Sequence, residues 1–94
     1  MLFEWDAAKS DATRAARGFG FEEVTAVFLD PGRVTFQDDR KDYGEVRWTA
    51  FGLIEGRLFA VTYTWRGEAV RIVSARKANA RERKRYDGNQ DLPT

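Results

Sequence analysis

Apolar and polar positions change their period several times along the chain, and each change marks an element. Leu2 to Trp5 alternates and predicts a short first strand. Asp6 stands where an N-cap is needed. The alanine-rich segment Ala7–Arg17 follows it, and Gly18 takes the C′ position that ends a helix. The apolar side of this helix is nearly all alanine (Ala8, Ala12, Ala15, Ala16), so it can approach a neighbour closely while burying little area. From Phe21 to Leu29 the period is again helical. Phe21, Val24, Val27 and Phe28 share one side, Glu22 and Glu23 sit in the first turn, and Asp30-Pro31-Gly32 closes the element.

The second half alternates with period two. Arg33–Gln37 predicts a strand and Asp38–Gly44 a polar loop. Three longer strands follow, at Glu45–Ile54, Arg57–Trp65 and Glu68–Ala75. The joints Glu55-Gly56 and Arg66-Gly67 are hairpin-type and predict an antiparallel meander. In the middle strand Phe59, Val61, Tyr63 and Trp65 share the face expected to meet the helices. In the last strand, alternation puts Val70, Ile72 and Ser74 on one face and Ala69, Arg71, Val73 and Ala75 on the other. Asn79 with Glu82 forms a capping-box pattern, so a final helix is expected over about Ala80–Asp87. The reading is an α+β fold with a small antiparallel sheet in the order β-α-α-β-β-β-β-α. It forms one domain over residues 1–87, with a flexible C-terminal tail over 88–94.

Composition narrows the chemistry. A chain of 94 residues with 14% aromatics supports one small core. It has no cysteine, so disulfides and thiolate chemistry are excluded and a cytoplasmic setting is expected. It has no histidine, which removes the usual metal ligand and the usual proton-transfer group near neutral pH. No apolar run is long enough to span a bilayer, and no signal peptide or membrane association is expected. The loop carboxylates Asp38, Asp39 and Asp42 do not follow a calcium-loop spacing and enclose Arg40 and Lys41, so a solvated loop is the preferred reading and no metal is expected.

Charge then singles out one stretch. Seven residues from Arg76 to Arg85 are charged and six of them are basic. That is the pattern of a phosphate-binding surface, or equally of a solvated helix face. Arg76 and Lys77 lie at the junction of strand and helix, where a scaffold can hold them. Arg85, on a helix near the terminus, is expected to add only diffuse attraction.

The residues Phe3-Glu4-Trp5-Asp6, Lys9, Gly18, Phe28-Leu29-Asp30-Pro31 and Gly56-Arg57-Leu58 resemble the BrnT family of type II toxins. The most specific part is Arg71-Ile72-Val73-Ser74-Ala75-Arg76-Lys77-Ala78, followed by Arg81-Glu82-Arg83. The resemblance covers about residues 2 to 86. It implies a RelE-like ribonuclease fold and an RNA-cleaving toxin. It also implies neutralisation by a cognate BrnA-like antitoxin in a hetero-oligomer, and contact with promoter DNA through that antitoxin. No cofactor is implied.

With histidine absent, cleavage would rest on arginines that stabilise charge on phosphorus as the 2′-hydroxyl attacks. Arg47, Arg76 and Arg81 are the expected phosphate clamps, and Lys77 or Glu82 the proton-transfer group. Lys9, Arg17, Arg81, Arg83 and Lys84 are expected to hold RNA. The chain departs from the family pattern at the end of the first helix. There Ala16 and Arg17 stand where family members usually carry Lys and His. This leaves a second reading open: a weak or inactive module that keeps antitoxin or nucleic-acid binding.

Overall fold

The computed structural model describes residues 1–90. The elements run in the order β1 (Leu2–Trp5), α1 (Ala7–Arg17), α2 (Phe21–Val24), a 3-10 segment (Thr25–Leu29), β2 (Val34–Asp38), β3 (Arg47–Ile54), β4 (Arg57–Arg66), β5 (Ala69–Lys77) and α3 (Ala80–Gln90). The five strands form one sheet in the spatial order β1-β5-β4-β3-β2.

The predicted meander is present. β3 pairs antiparallel with β4, and β4 with β5. The sheet as a whole is mixed, because β1 joins it in parallel beside β5, with Leu2 opposite Ala69 and Trp5 opposite Ile72. A parallel pair needs a long crossover. Here the whole chain between β1 and β5 supplies it, which is why local patterning did not reveal it.

Local chemistry explains most boundaries. The Asp6 carboxylate accepts the Lys9 N–H at 3.1 Å, and Gly18 takes the left-handed conformation (φ 88°) that ends α1. Asn79 Oδ1 accepts the Glu82 N–H at 2.8 Å, and Glu82 Oε1 accepts the Asn79 N–H at 2.9 Å, completing the expected capping box. The helix expected over Phe21–Leu29 is split. One α-helical turn gives way to a 3-10 segment that lies on β3. There the backbone approaches so closely that a Cβ on Gly52 would meet the Val27 carbonyl oxygen at 2.8 Å.

The core lies between this helical layer and one sheet face. Phe21, Val24 and Val27 are fully buried against Ala50, Val61, Val70 and Ile72, with Tyr63 and Ala75 beside them. Phe59, Val61 and Tyr63 meet the helices as expected, while Trp65, at the end of the strand, is half exposed. The alanine side of α1 is a correction. Ala8, Ala12, Ala15 and Ala16 are all exposed. Instead α1 docks through Ser10, which is 3% exposed and whose Oγ accepts the Phe21 N–H at 2.9 Å. A single satisfied hydroxyl at the helix N-terminus of α2 fixes the contact better than small methyl groups can.

α3 crosses the opposite face of the sheet. Tyr86 is buried beside Val34 and Phe51 and donates to Asp30 Oδ2 at 2.6 Å. The same carboxylate accepts the Leu53 and Gly32 N–H groups, both at 2.8 Å. The helix continues past Asp87 to Gln90, whose side-chain amide donates to the Gly32 carbonyl. The remainder of the expected tail, 91–94, lies outside the described residues.

Candidate functional site

β5 positions the site, and it does so by breaking its own alternation. Thr62 pairs with Ser74 but Tyr63 pairs with Ile72, so Val73 is the extra residue of a β-bulge. Strict alternation would have set Ser74 and Arg76 on the core side with Val70 and Ile72. The bulge reverses the phase. Ala75 enters the core, at 4% exposed, and Ser74 and Arg76 emerge on the face that α3 crosses. The even alternation expected from the sequence is corrected here.

On that face an open groove of about 290 Å³ runs between β2 and the middle of α3, lined among others by Arg76, Arg40, Arg85, Phe36, Thr62 and Ser74. Arg76 meets Glu82 fork to fork, with Nη1–Oε1 and Nη2–Oε2 both at 2.8 Å. The Arg76 hydrogen bonds pull Glu82 down to about 2 against the opposing effect of burial, and the Asn79 N–H assists. Glu82 is therefore ionised throughout the neutral range, and in turn raises the pKa of Arg76. The groove thus holds a permanent, oriented guanidinium.

Its other walls are similarly fixed. Arg40 grips Asp38 through Nε and Nη2 at 2.8 and 2.9 Å, which holds the Asp38 carboxyl at about 2. The hydroxyls of Thr49 and Thr62 meet at 2.9 Å across β3 and β4. The Arg85 guanidinium lies 5.3 Å from the centre of the Phe36 ring.

The residues singled out from the sequence do not all gather here. Arg76 and Glu82 form the central pair. Lys77, next along the strand, faces the other side, in a cleft with Phe19, Glu23 and Phe59. Arg47 lies at the sheet margin, bonded to Glu45 Oε2 at 3.0 Å and stacked 4.1 Å from the Tyr43 ring. Lys9 and Arg17 are exposed on α1, which packs on the core side of the sheet. On α3, Arg81 and Lys84 are exposed and form no ion pair among the described residues, and Arg83 is engaged with Asp87 and the Gly56 carbonyl. Arg85 was expected to be peripheral, but it sits over the groove because the helix axis carries position 85 toward β2.

Two contributors escaped sequence reasoning. Asp30 read only as a helix terminator, yet it anchors α3 through Tyr86. Phe36 read as an ordinary strand residue, yet it is 42% exposed in the groove. The alternation of β2, with Val34, Phe36 and Asp38 on one side, was the available signal.

A family model described as "Ribonuclease toxin, BrnT, of type II toxin-antitoxin system" matches residues 5–82, most of the chain. The chain belongs to the BrnT family. No curated protein matches it. The BrnT match begins at the end of β1 and closes on Glu82, so it contains the bulge, Arg76 and its partner carboxylate. As a BrnT-family toxin the chain is a ribonuclease, with RNA as its target and an antitoxin protein as its partner. Among the described residues, no helix is long and apolar enough to cross a membrane.

Proposed function

We propose that this BrnT-family chain cuts RNA internally in the Arg76 groove, by attack of a 2′-hydroxyl on the adjacent phosphate without a metal ion. The 2′-oxygen bonds to phosphorus, the bond to the 5′-oxygen breaks, and the products are a 2′,3′-cyclic phosphate and a 5′-hydroxyl. The observation that carries the reading is the Arg76–Glu82 fork beside an open groove. A guanidinium already oriented before RNA arrives stabilises charge on the phosphoryl oxygens with no reorganisation, often the largest single contribution to catalysis. Arg40 and Arg85 extend the cationic wall. Two of the three carboxylates lining the groove region, Asp38 and Glu82 among Asp38, Asp39 and Glu82, are already tied to guanidinium groups, which favours metal-free chemistry.

Glu82 acts here as a positioning residue. A carboxylate held at about 2 is a poor proton acceptor near pH 7. Lys77 faces the opposite side and serves RNA binding, with Arg81, Lys84 and, more remotely, Lys9 and Arg17. Proton transfer then falls to water and the groove hydroxyls, and turnover on free RNA is slow. The antitoxin covers the groove with an acidic segment. As a BrnA-like protein it would carry promoter DNA binding for the pair.

A second reading is favoured by one observation: both terminal nitrogens of Arg76 already have a partner in Glu82. Together with Arg17 in place of the family His, this describes a module that binds its partner but cuts poorly. Purified protein incubated with a long RNA in EDTA separates the two. Cleavage leaving cyclic or 3′-phosphate ends supports the enzyme. An inert wild type that gains cleavage on the double change Ala16→Lys, Arg17→His supports the module. A requirement for added Mg²⁺, or 5′-phosphate products, overturns the proposed chemistry.

A further inference from the structure

Phe36 is the one phenylalanine among the exposed large apolar residues of the described chain; the other exposed ones are Met1, Leu2, Leu29, Val46 and Trp65. Its position is not a strand end or a loop tip. It sits mid-way along β2, opposite Thr49, on the groove side of the sheet. Phe51 braces it edge-on, with ring centres 6.2 Å apart at 69°. Arg85 lies above it, and Arg76, paired with Glu82, and Arg40, paired with Asp38, line the same groove together with Asp39. Arg85 forms no ion pair among the described residues; its guanidinium is held by the Phe36 ring and by the more distant charge of Glu82.

An exposed aromatic face beside several cations is the combination that single-stranded RNA requires: a surface for one base, with charge for the flanking phosphates. From this arrangement we infer that Phe36 is the stacking platform for a base next to the cleaved bond, with Arg85 as its movable cover. This rests on the groove being the place of cleavage. The incoming base displaces the Arg85 guanidinium from the ring and is covered by it in turn, since guanidinium planes stack on bases as aromatic rings do. Stacking tolerates every base because each has a π-face. The platform therefore fixes the register of the strand over Arg76 without reading much sequence. Phe51, the hydroxyl pair Thr49–Thr62 and Ser74 complete a sheet surface that can carry the sugar edges.

The competing role is structural: Phe36 could merely shield Phe51 and support α3. The test compares Phe36→Leu, which keeps apolar cover and loses the π-face, with Phe36→Trp, which keeps both. Each is assayed on a short oligoribonucleotide that the wild type cuts once, alongside variants of that RNA carrying a single abasic site. Phe36→Leu is expected to lower kcat/KM roughly five- to hundredfold, with an unchanged thermal midpoint and Phe36→Trp near wild type. One abasic position next to the cut should cost the wild type the same factor, and cost Phe36→Leu nothing further. Equal additional loss at every abasic position overturns the platform, as does a Phe36→Leu that cuts like wild type. Loss of antitoxin binding with cleavage intact would assign the ring to a protein interface and also overturn it. Arg76→Ala is run in parallel. If Arg76→Ala loses cleavage while Phe36→Leu does not, the platform alone fails; if neither matters, the groove itself is the wrong place.

Discussion

Ile72 and Ala75 lie three positions apart on one strand, yet both point into the same core. The extra residue between them is the reason Arg76 faces solvent on the far side of the sheet. Deleting Val73 should close the bulge without reversing either face, because Thr62 still meets Ser74 and Tyr63 still meets Ile72. The deletion variant is expected to fold and to retain cleavage, at a cost of about 1 kcal/mol for the partly buried valine. Circular dichroism with an RNA assay checks this. A folded but inactive variant would show that the local twist of the bulge, and not only its change of phase, is needed.

Arg76→Ala should cut RNA about a hundredfold more slowly, the typical loss of one pre-organised transition-state contact. Its melting temperature needs measuring beside the rate, since the Arg76–Glu82 pair also ties β5 to α3. Arg85→Ala is expected to lose much less, within a few-fold, and to shift the salt dependence of RNA binding by about one unit. Equal activity of both variants with wild type would move the site elsewhere.

Glu82 titrates far below its ordinary range, near 2, and Asp38 does the same. A folded-state pKa below the unfolded one adds stability that is complete above about pH 4.5 and is lost as pH falls toward 2. Glu82→Gln should therefore be less stable at pH 7, by on the order of 1 kcal/mol because water screens the half-exposed Arg76. The two proteins should converge as pH drops from 4.5 to 2, which melts across that window will reveal. Since the chain has no histidine, its cleavage rate is expected to show no inflection between pH 5.5 and 7.5.

Tyr86 shows the opposite sign. Burial, followed by its hydrogen bond to Asp30 and the charge there, pushes it up to about 12. That contribution is complete below about pH 10 and fades as pH climbs from 10 to 12. Tyr86→Phe should flatten part of the alkaline loss of stability, leaving the part due to Tyr63, whose pKa burial also raises. At pH 7 the variant should be about 1–2 kcal/mol less stable, since Asp30 keeps only its backbone donors. Hydrogen exchange should rise first in residues 80–90.

Gly52→Ala should cost about 1–3 kcal/mol, because its Cβ would collide with the Val27 backbone and neither β3 nor the 3-10 segment can retreat without opening the core. A thermal melt suffices to test it. A neutral result would mean that the 3-10 segment shifts as a unit.

The elements and their order were legible in the sequence because caps and hairpin joints are local. Asp6, Gly18, Asn79 with Glu82, and Glu55-Gly56 each do their work within four residues. What was not legible depends on distant partners. The phase of β5 is set by its pairing with β4, so counting by twos misplaced Ser74. The docking of α1 depends on one hydroxyl meeting the start of α2, so an alanine stripe suggested the wrong face. The groove pair Arg76–Glu82 was readable as two candidate residues, but not as one ion pair. Lys77 could not be separated from Arg76 without knowing which face each takes.

The parallel pairing of β1 with β5 also sets an order of events during synthesis. β1 leaves the ribosome early and has no partner until residues 69–77 follow it. The β3–β4 hairpin can close first, whereas sheet completion and the Arg76 groove come together from the last strand and helix to emerge. On the proposed site, a nascent chain cannot attack the message being translated into it, because the Arg76 groove does not yet exist. Ribosome-bound chains stalled before residue 69 are expected to be protease-sensitive and harmless to RNA, and activity should appear only when α3 has cleared the exit tunnel.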